Sequence, residues 1–306
     1  MTNREPSSLE INALKTKPIV LGVDGSAHNE SAVAWAVDEA HRSGRDLVAV
    51  SASDEYIRPI PMFSAGFDAG SYEGFAHATV RKVADRVQAE HPDVKVTTEV
   101  KSEDPSGLIL DAADGASLVV VGKRGLGAFA RIIVGSTSIA VAGRASCPTV
   151  VVPDSWDQAK AASKPVLVGI DVDEHDDATL AFAFERAHEL QVPLVALYVW
   201  QTHPAVVVTD EDRRVWGRAA ETKLHEILSP WMAKLPDVSV QVEQRHDQPA
   251  FGILERGDRA QLVVLGRHTA SRRTAGFAFG SVTRAVLHYS TAPVAVVPEG
   301  SAATTA

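Results

Sequence analysis

The sequence predicts an α/β protein of two tandem doubly wound domains. Each is an open five-stranded parallel sheet in the order 3-2-1-4-5 with helices on both faces. Three observations predict it. One unit is written twice: KPIVLGVDGSAHNESAVAWAVDEAHRSGRDLVAVSA from Lys17 aligns without a gap on KPVLVGIDVDEHDDATLAFAFERAHELQVPLVALYV from Lys164. Within each copy, short β-branched runs alternate with amphipathic stretches, as strands joined by crossover helices do. The runs are apolar at successive positions, which suits parallel strands covered on both faces.

The domains are expected over 17–153 and 164–298. The stretch between them, PDSWDQAKAASK from Pro153, is polar and has no period of its own. In the first copy PIVLGVD is strand one. Ser26 can cap the next helix, whose Ala32, Val33, Ala36, Val37 and Ala40 share a face and which Gly44 ends. DLVAVSA is strand two, and Asp68–Glu90 a longer helix. VKVTTEV alternates as an edge strand does, and a short helix runs from Pro105 to Asp114. SLVVVG is strand four, Ser136–Arg144 a helix and PTVVV strand five. Later matches between the copies fix the same order in the second: ASLVVVGKRG from Ala116 on AQLVVLGRHT from Ala260, and CPTVVVP from Cys147 on APVAVVP from Ala292.

Composition narrows the function classes. The chain has 306 residues, 45% hydrophobic and 23% charged, with 30 Lys and Arg against 39 Asp and Glu, a net charge of −9. That balance argues against nucleic acid or an anionic membrane surface as the main partner. The apolar runs fall short of the ~20 residues a membrane span needs. MTNREPSSLEINALKTK carries charges and no apolar h-region, so no secretory signal is expected. The single cysteine, Cys147, reads as a small buried hydrophobe, and a cytoplasmic location is the expectation.

Doubly wound sheets bind ligands beyond the strand C-termini where the strand order reverses. In the order 3-2-1-4-5 that point lies between strands one and four, which end at Asp24 and Gly122. After Gly122 the sequence reads GKRGLGAFARIIVGST, with glycines at 122, 125, 127 and 135. Glycine removes the side chain that keeps a ligand off the backbone and permits positive φ. Ser136 and Thr137 stand where a helix offers unpaired N–H groups to an anion. Lys123, Arg124 and Arg131 add positive charge. Asp24 suits a ribose or Mg2+ rather than a phosphate. Gly22 would let a base or ribose lie on strand one, and the main chain at Val50 and Ser51 would read an adenine edge.

This arrangement resembles the universal stress protein family, as two copies covering nearly the whole chain. The residues that carry the resemblance are Asp24, the G-x2-G-x9-G-S of Gly122, Gly125, Gly135 and Ser136, and the closing PTVVVP. The resemblance implies an ATP-binding regulatory protein of stress physiology. Its first-half nucleotide site would comprise Gly22, Asp24, Val50, Gly122, Lys123, Arg124, Gly125, Leu126, Gly127, Ala128, Gly135, Ser136 and Thr137. A Mg2+ ion is an allowed companion, and the apolar fifth strands suggest pairing between halves or chains, hence a homodimer. The rivals are a slow ATPase or nucleotidyl-transfer enzyme and a nucleotide-free scaffold. A dinucleotide reading of Gly125-Leu-Gly127-Ala-Phe-Ala130 fails, because Gly143, Arg144 and Ala145 stand where an acidic residue is needed. Walker A, catalytic-triad and metal-ligand spacings are absent from the sequence.

The second copy departs at the corresponding place. Thr269 replaces the second glycine, and ten residues rather than nine separate it from Gly280-Ser281. Asp173, Glu174, Asp176 and Asp177 crowd Asp171, which disfavours a phosphate, while Arg267, Arg272 and Arg273 could replace lost donors. The counterpart residues are Gly169, Asp171, Gly266, Gly280 and Ser281, in a site expected to be degenerate.

Overall fold

The computed structural model describes residues 17–53, 69–125, 134–202, 209–267 and 280–300. It divides into two compact units that part between Trp156 and Asp157. The first has strands β1 (Ile19–Gly22), β2 (Leu47–Ala52), β3 (Val96–Lys101), β4 (Leu118–Gly122) and β5 (Thr149–Val152). They pair in parallel in the order β3-β2-β1-β4-β5. Every residue of β1, β4 and β5 is buried, whereas the edge strand β3 has none buried. The edge position expected for VKVTTEV is found, but its burial does not alternate residue by residue.

Helices α1 (Glu30–Ser43), α2 (Ala69–Glu90), α3 (Pro105–Ala113) and α4 (Ser136–Arg144) make the crossovers. Right-handed connections place α1 and α2 on one face and the mutually packed α3 and α4 on the other. Gly44 ends α1 at φ 65°, its N–H reaching back to the last carbonyls, as its position predicts. Asp104 caps α3 by accepting from the Gly107 N–H at 3.0 Å. Cys147 is buried.

The second unit repeats the plan. Its strands are β6 (Val166–Gly169), β7 (Leu194–Trp200), β8 (Val240–His246), β9 (Leu262–Arg267) and β10 (Val294–Pro298), parallel in the order β8-β7-β6-β9-β10. A short α5 (Gln158–Ala161) precedes them, and α6 (Asp177–Leu190), α7 (Asp210–Lys234), α8 (Pro249–Gly257) and α9 (Ser281–Tyr289) connect them. Among the described residues no helix is long and apolar enough to cross a membrane.

Candidate functional site

In the first unit β2 and β4 flank β1, so the strand order reverses at β1 and its C-terminal end faces a crevice. The chain leaves β1 through Val23 and Asp24 and turns sharply at Gly25. Gly25 takes φ +74°, and a Cβ there would lie 2.7 Å from Thr79 Oγ1 and 2.8 Å from Phe75 Cζ on α2. Backbone and packing both demand glycine. The turn lets the Ser26 N–H donate to Asp24 Oδ1 at 2.9 Å, which orients the carboxylate.

The expected cap at Ser26 is not made. A 3-10 turn, Ala27–Asn29, intervenes before α1, and the Ser26 hydroxyl is buried with no hydrogen-bond partner among the described residues. Asn29 takes the position before α1 instead. It is buried, donates from Nδ2 to the Gly22 carbonyl at 3.2 Å, and lies over Gly122, where a Cβ would come 3.0 Å from that nitrogen. Ser138 Oγ donates to the Gly122 carbonyl at 2.7 Å. The final carbonyls of β1 and β4 are therefore each bonded by a side chain from a neighbouring helix start.

Beyond β4 the loop begins against the aspartate. A Cβ on Gly125 would stand 2.5 Å from Asp24 Oδ2. The loop returns at Gly135, whose N–H donates to the Lys123 carbonyl at 2.8 Å. The first bond of α4 runs from the Ile139 N–H to the Gly135 carbonyl, so the amides of Ser136, Thr137 and Ser138 precede it without an intrahelical acceptor. Ser136 is exposed, Thr137 half-buried, and Ser138 turned inward. Residues 126–133, which include the expected Leu126, Gly127, Ala128 and Arg131, lie outside the described residues.

Three expectations need correction. Positive φ is not what Gly122, Gly125 and Gly135 provide: among the described residues the positive-φ glycines are Gly25, Gly44, Gly115 and Gly300. Gly122 and Gly125 are required for space, and Gly135 has only ordinary contacts, the nearest 3.5 Å away. Gly22 does not bare strand one to a base, because a Cβ there would meet Ile109 Cδ1 of α3 at 2.7 Å. Its small size seats α3. Val50 is no open edge either. Its carbonyl accepts from the Val23 N–H at 2.9 Å, and its side chain is buried in the ladder.

The charges around the crevice are tied to one another. Lys123 is only 9% exposed, and burial holds its ammonium below the ordinary value, Asp154 opposing and Arg124 reinforcing that shift. Arg124 forms an ion pair with Asp154, the second residue beyond β5. His28 Nδ1 contacts the same carboxylate oxygen at 3.0 Å, and Ser31 Oγ donates to the Asp154 carbonyl at 2.8 Å. Burial pushes Asp154 up, but the hydrogen bonds from Arg124 and His28 outweigh it and hold the carboxyl below its ordinary value. A depressed carboxyl stabilises the fold above its unfolded value and loses that contribution as pH falls through the folded one. Asp154→Asn is therefore expected to lower the urea midpoint at neutral pH, with the gap closing below about pH 4. Equal gaps at pH 7 and pH 3 would contradict this. His77 takes no part in the cluster; it faces Glu73 on the exposed side of α2.

The second unit keeps part of this frame. The Asp173 N–H donates to Asp171 Oδ1 at 3.0 Å, repeating the Asp24–Ser26 turn, and Thr283 Oγ1 reaches the Gly266 carbonyl at 3.4 Å as Ser138 reaches Gly122. Gly169 again seats a helix, its missing Cβ 3.2 Å from Ile253 on α8 and 2.7 Å from Leu265. Gly280 is extended at φ −66° with none of the described residues near it, and Ser281 is exposed. The crevice differs. Val172, not at positive φ, stands in the place of Gly25, and Asp176 in that of Asn29. A carboxylate cannot donate to a strand carbonyl, and Asp176 caps α6 through the Thr179 N–H (3.1 Å) and Oγ1 (3.2 Å). What remains is a narrow cleft beside the exposed Asp171. Residues 268–279, with Thr269, Arg272 and Arg273, lie outside the described residues.

A sequence profile described as the universal stress protein family matches residues 15–153 and again 162–298. The chain belongs to this family. A universal stress protein of Mycolicibacterium smegmatis is 36% identical over 286 residues, covering 91% of this chain and 96% of its own. One of Mycobacterium tuberculosis is 30% identical over 287 residues, covering 92% and 97%. The crystal structure of a universal stress protein from Archaeoglobus fulgidus superposes with a TM-score of 0.62 at 18% identity, over 92% of this chain and 98% of that one. At that identity the superposition supports the fold.

Within this universal stress protein fold, the crevice of the first unit brings together Asp24, Gly122, Gly125 and the neck that joins Lys123 to Gly135 at the head of α4. Gly25, Asn29 and Asp154 were not foreseen as parts of the same assembly. Gly25 had a signal, the Asp-Gly-Ser turn after a strand. Asn29 and Asp154 had none, because each acts on a residue distant in sequence or on the far side of a turn.

Proposed function

We propose that this chain is a cytoplasmic ATP-binding regulatory protein of the universal stress type, with its nucleotide in the crevice of the first unit. The observation that carries the reading is the seat of Gly125 directly against the Asp24 carboxylate. It joins the start of a glycine-rich loop to an oriented ribose acceptor at the point of strand reversal. The amides and hydroxyls of Ser136 and Thr137 supply the anion-binding end. Lys123 and Arg124 supply charge at the loop's start. A few charge-assisted bonds of ~1.5–3 kcal/mol each suffice for micromolar affinity. Mg2+ belongs to this reading as a companion of the phosphates, and a homodimer as its assembly, checked by light scattering.

A regulatory role is favoured over turnover because, among the described residues, none stands out to align water on a phosphate. Bound nucleotide would change what docks at the crevice, to the extent that a partner's affinity differs between the bound and free states. Calorimetric titration with ATP of the full chain, after heat extraction and chromatography of any nucleotide carried through purification, tests the proposal. One equivalent of adenine nucleotide per chain is the expected result. An empty extract together with no heat of binding would favour a scaffold, and steady phosphate release above a Gly125 variant would favour an enzyme.

A further inference from the structure

The opposite end of the first sheet holds a group that the nucleotide reading does not use. His41 lies in the last turn of α1, His91 immediately after α2, and Asp93 in the turn that leads into β3. His41 Nδ1 is 2.8 Å from Asp93 Oδ2, and the two imidazole centroids are 4.4 Å apart. One nitrogen of each ring and one Asp93 oxygen all lie within 4.8 Å of one another, the one such group among the described residues.

The second copy supplies the internal comparison. HPDV at 91–94 becomes LPDV at 235–238. The turn is the same: the His91 N–H bonds to Val87 at 2.7 Å and that of Leu235 to Trp231 at 3.0 Å, and Val94 and Val238 reach back to residues 91 and 235 at 3.0 and 3.2 Å. The His–Asp pair is also kept, with His188 Nδ1 2.6 Å from Asp237 Oδ2. This pair is a clasp between a helix end and a strand start, and it needs no second imidazole. Leu235 shows that the turn does not need one either. His91 is thus the residue that packing leaves unexplained.

We propose that His41, His91 and Asp93 form a binding site for Zn2+, or a similar borderline divalent cation, in the first unit alone. Two imidazoles and a carboxylate suit zinc with water completing the shell, whereas Mg2+ and Ca2+ prefer all-oxygen sets. Ligands ~2.0–2.2 Å from a tetrahedral ion stand roughly 3.3–3.5 Å apart, so the three groups need only close up. His41 and Asp93 are 50% and 58% exposed, which lets them turn toward an ion. The C-terminal dipole of α1 favours positive charge there. Arg86 opposes a cation, but is paired to Glu30 at 3.2 Å and Glu90 at 3.2 Å. The ligands come from two helix ends and a turn, which is why no sequence spacing revealed them.

The test is calorimetric titration of the metal-stripped full chain with Zn2+, with Mg2+ as control. Wild type is expected to show a micromolar equivalent that Mg2+ does not reproduce. His91→Leu, which installs the residue the second copy already uses, and His41→Gln should each weaken it at least tenfold, at the low end of the ~10–100-fold that even indirect partners of a metal contribute. Leu235→His should add a second equivalent. Absence of zinc binding at 100-fold above ~1 µM, equal binding in wild type and His91→Leu, or no gain in Leu235→His would each overturn the proposal.

Discussion

Gly125→Ala is expected to weaken ATP binding about tenfold or more, equivalent to at least ~1.4 kcal/mol, while leaving the unfolding transition near its wild-type position. The added methyl group would stand 2.5 Å from Asp24 Oδ2, inside any permissible contact. Two relaxations are open. Asp24 can rotate, which sacrifices the bond from the Ser26 N–H and moves the carboxylate from its oriented place. Alternatively the loop can withdraw, which parts the phosphate-binding segment from the ribose acceptor. Either one separates the two ends of the proposed site without opening the core. Gly280→Ala is the matched control, because its added carbon meets none of the described residues within 4 Å and its backbone is extended. Thr269→Ala should also change ATP affinity less than Gly125→Ala does. Calorimetry on the three variants, with urea midpoints measured in parallel, checks the expectation. If Gly125→Ala and Gly280→Ala bind ATP equally, the crevice of the first unit is not the site.

The fold was legible because fully buried parallel strands cannot hide. IVLG and LVVVG carry no polar side chain, and TVVV only the buried Thr149, since helices cover both sides of β1, β4 and β5. VTTEVK is more polar because β3 pairs with β2 alone and has no fully buried residue. Gly44 and the helix over Ser136–Arg144 follow from rules that act within one turn of chain. The site was legible only where its logic is equally local, as in the Asp24–Ser26 turn and the head of α4. The sequence suggests glycines that free the backbone and admit a ligand, whereas Gly122 and Gly125 are needed because Asn29 and Asp24 press against them from β1's side of the crevice. Ser26 reads as a helix cap because a 3-10 turn is indistinguishable from a first α-helical turn in four residues of sequence. Asp154, which collects Arg124, His28 and Ser31, lies beyond the last strand, and nothing in PDSWD marks it.

Asn29→Asp is expected to cost about 2–4 kcal/mol at neutral pH, more than Asn29→Ala, and to impair ATP binding with it. Asn29 is buried and donates to the Gly22 carbonyl. Alanine leaves that carbonyl without its side-chain donor, whereas a carboxylate also places a negative charge against it and against the backbone carbonyl of Arg124, which crowds the same face of Gly122. Burial raises the new carboxyl above the ordinary value. The sign of the pH dependence follows: the penalty is full above the folded-state value and shrinks as pH falls, since the protonated form can again donate to Gly22. The aspartate variant should therefore approach or overtake the alanine variant in acid. The second unit carries this aspartate, Asp176, without penalty because it turns to the Thr179 amide and hydroxyl instead. The two helices start at equivalent positions, Glu30 and Asp177; the escape requires the extended backbone of Asp176 (φ −124°, ψ 131°), whereas the 3-10 turn holds Asn29 at helical angles (φ −93°, ψ −13°) with no side-chain cap bond. Urea denaturation of both variants at pH 7 and pH 4 reads the prediction directly. A cost in Asn29→Asp equal to that in Asn29→Ala at both values would show that the side-chain bond to β1, and not its charge, is all that the crevice needs from this position.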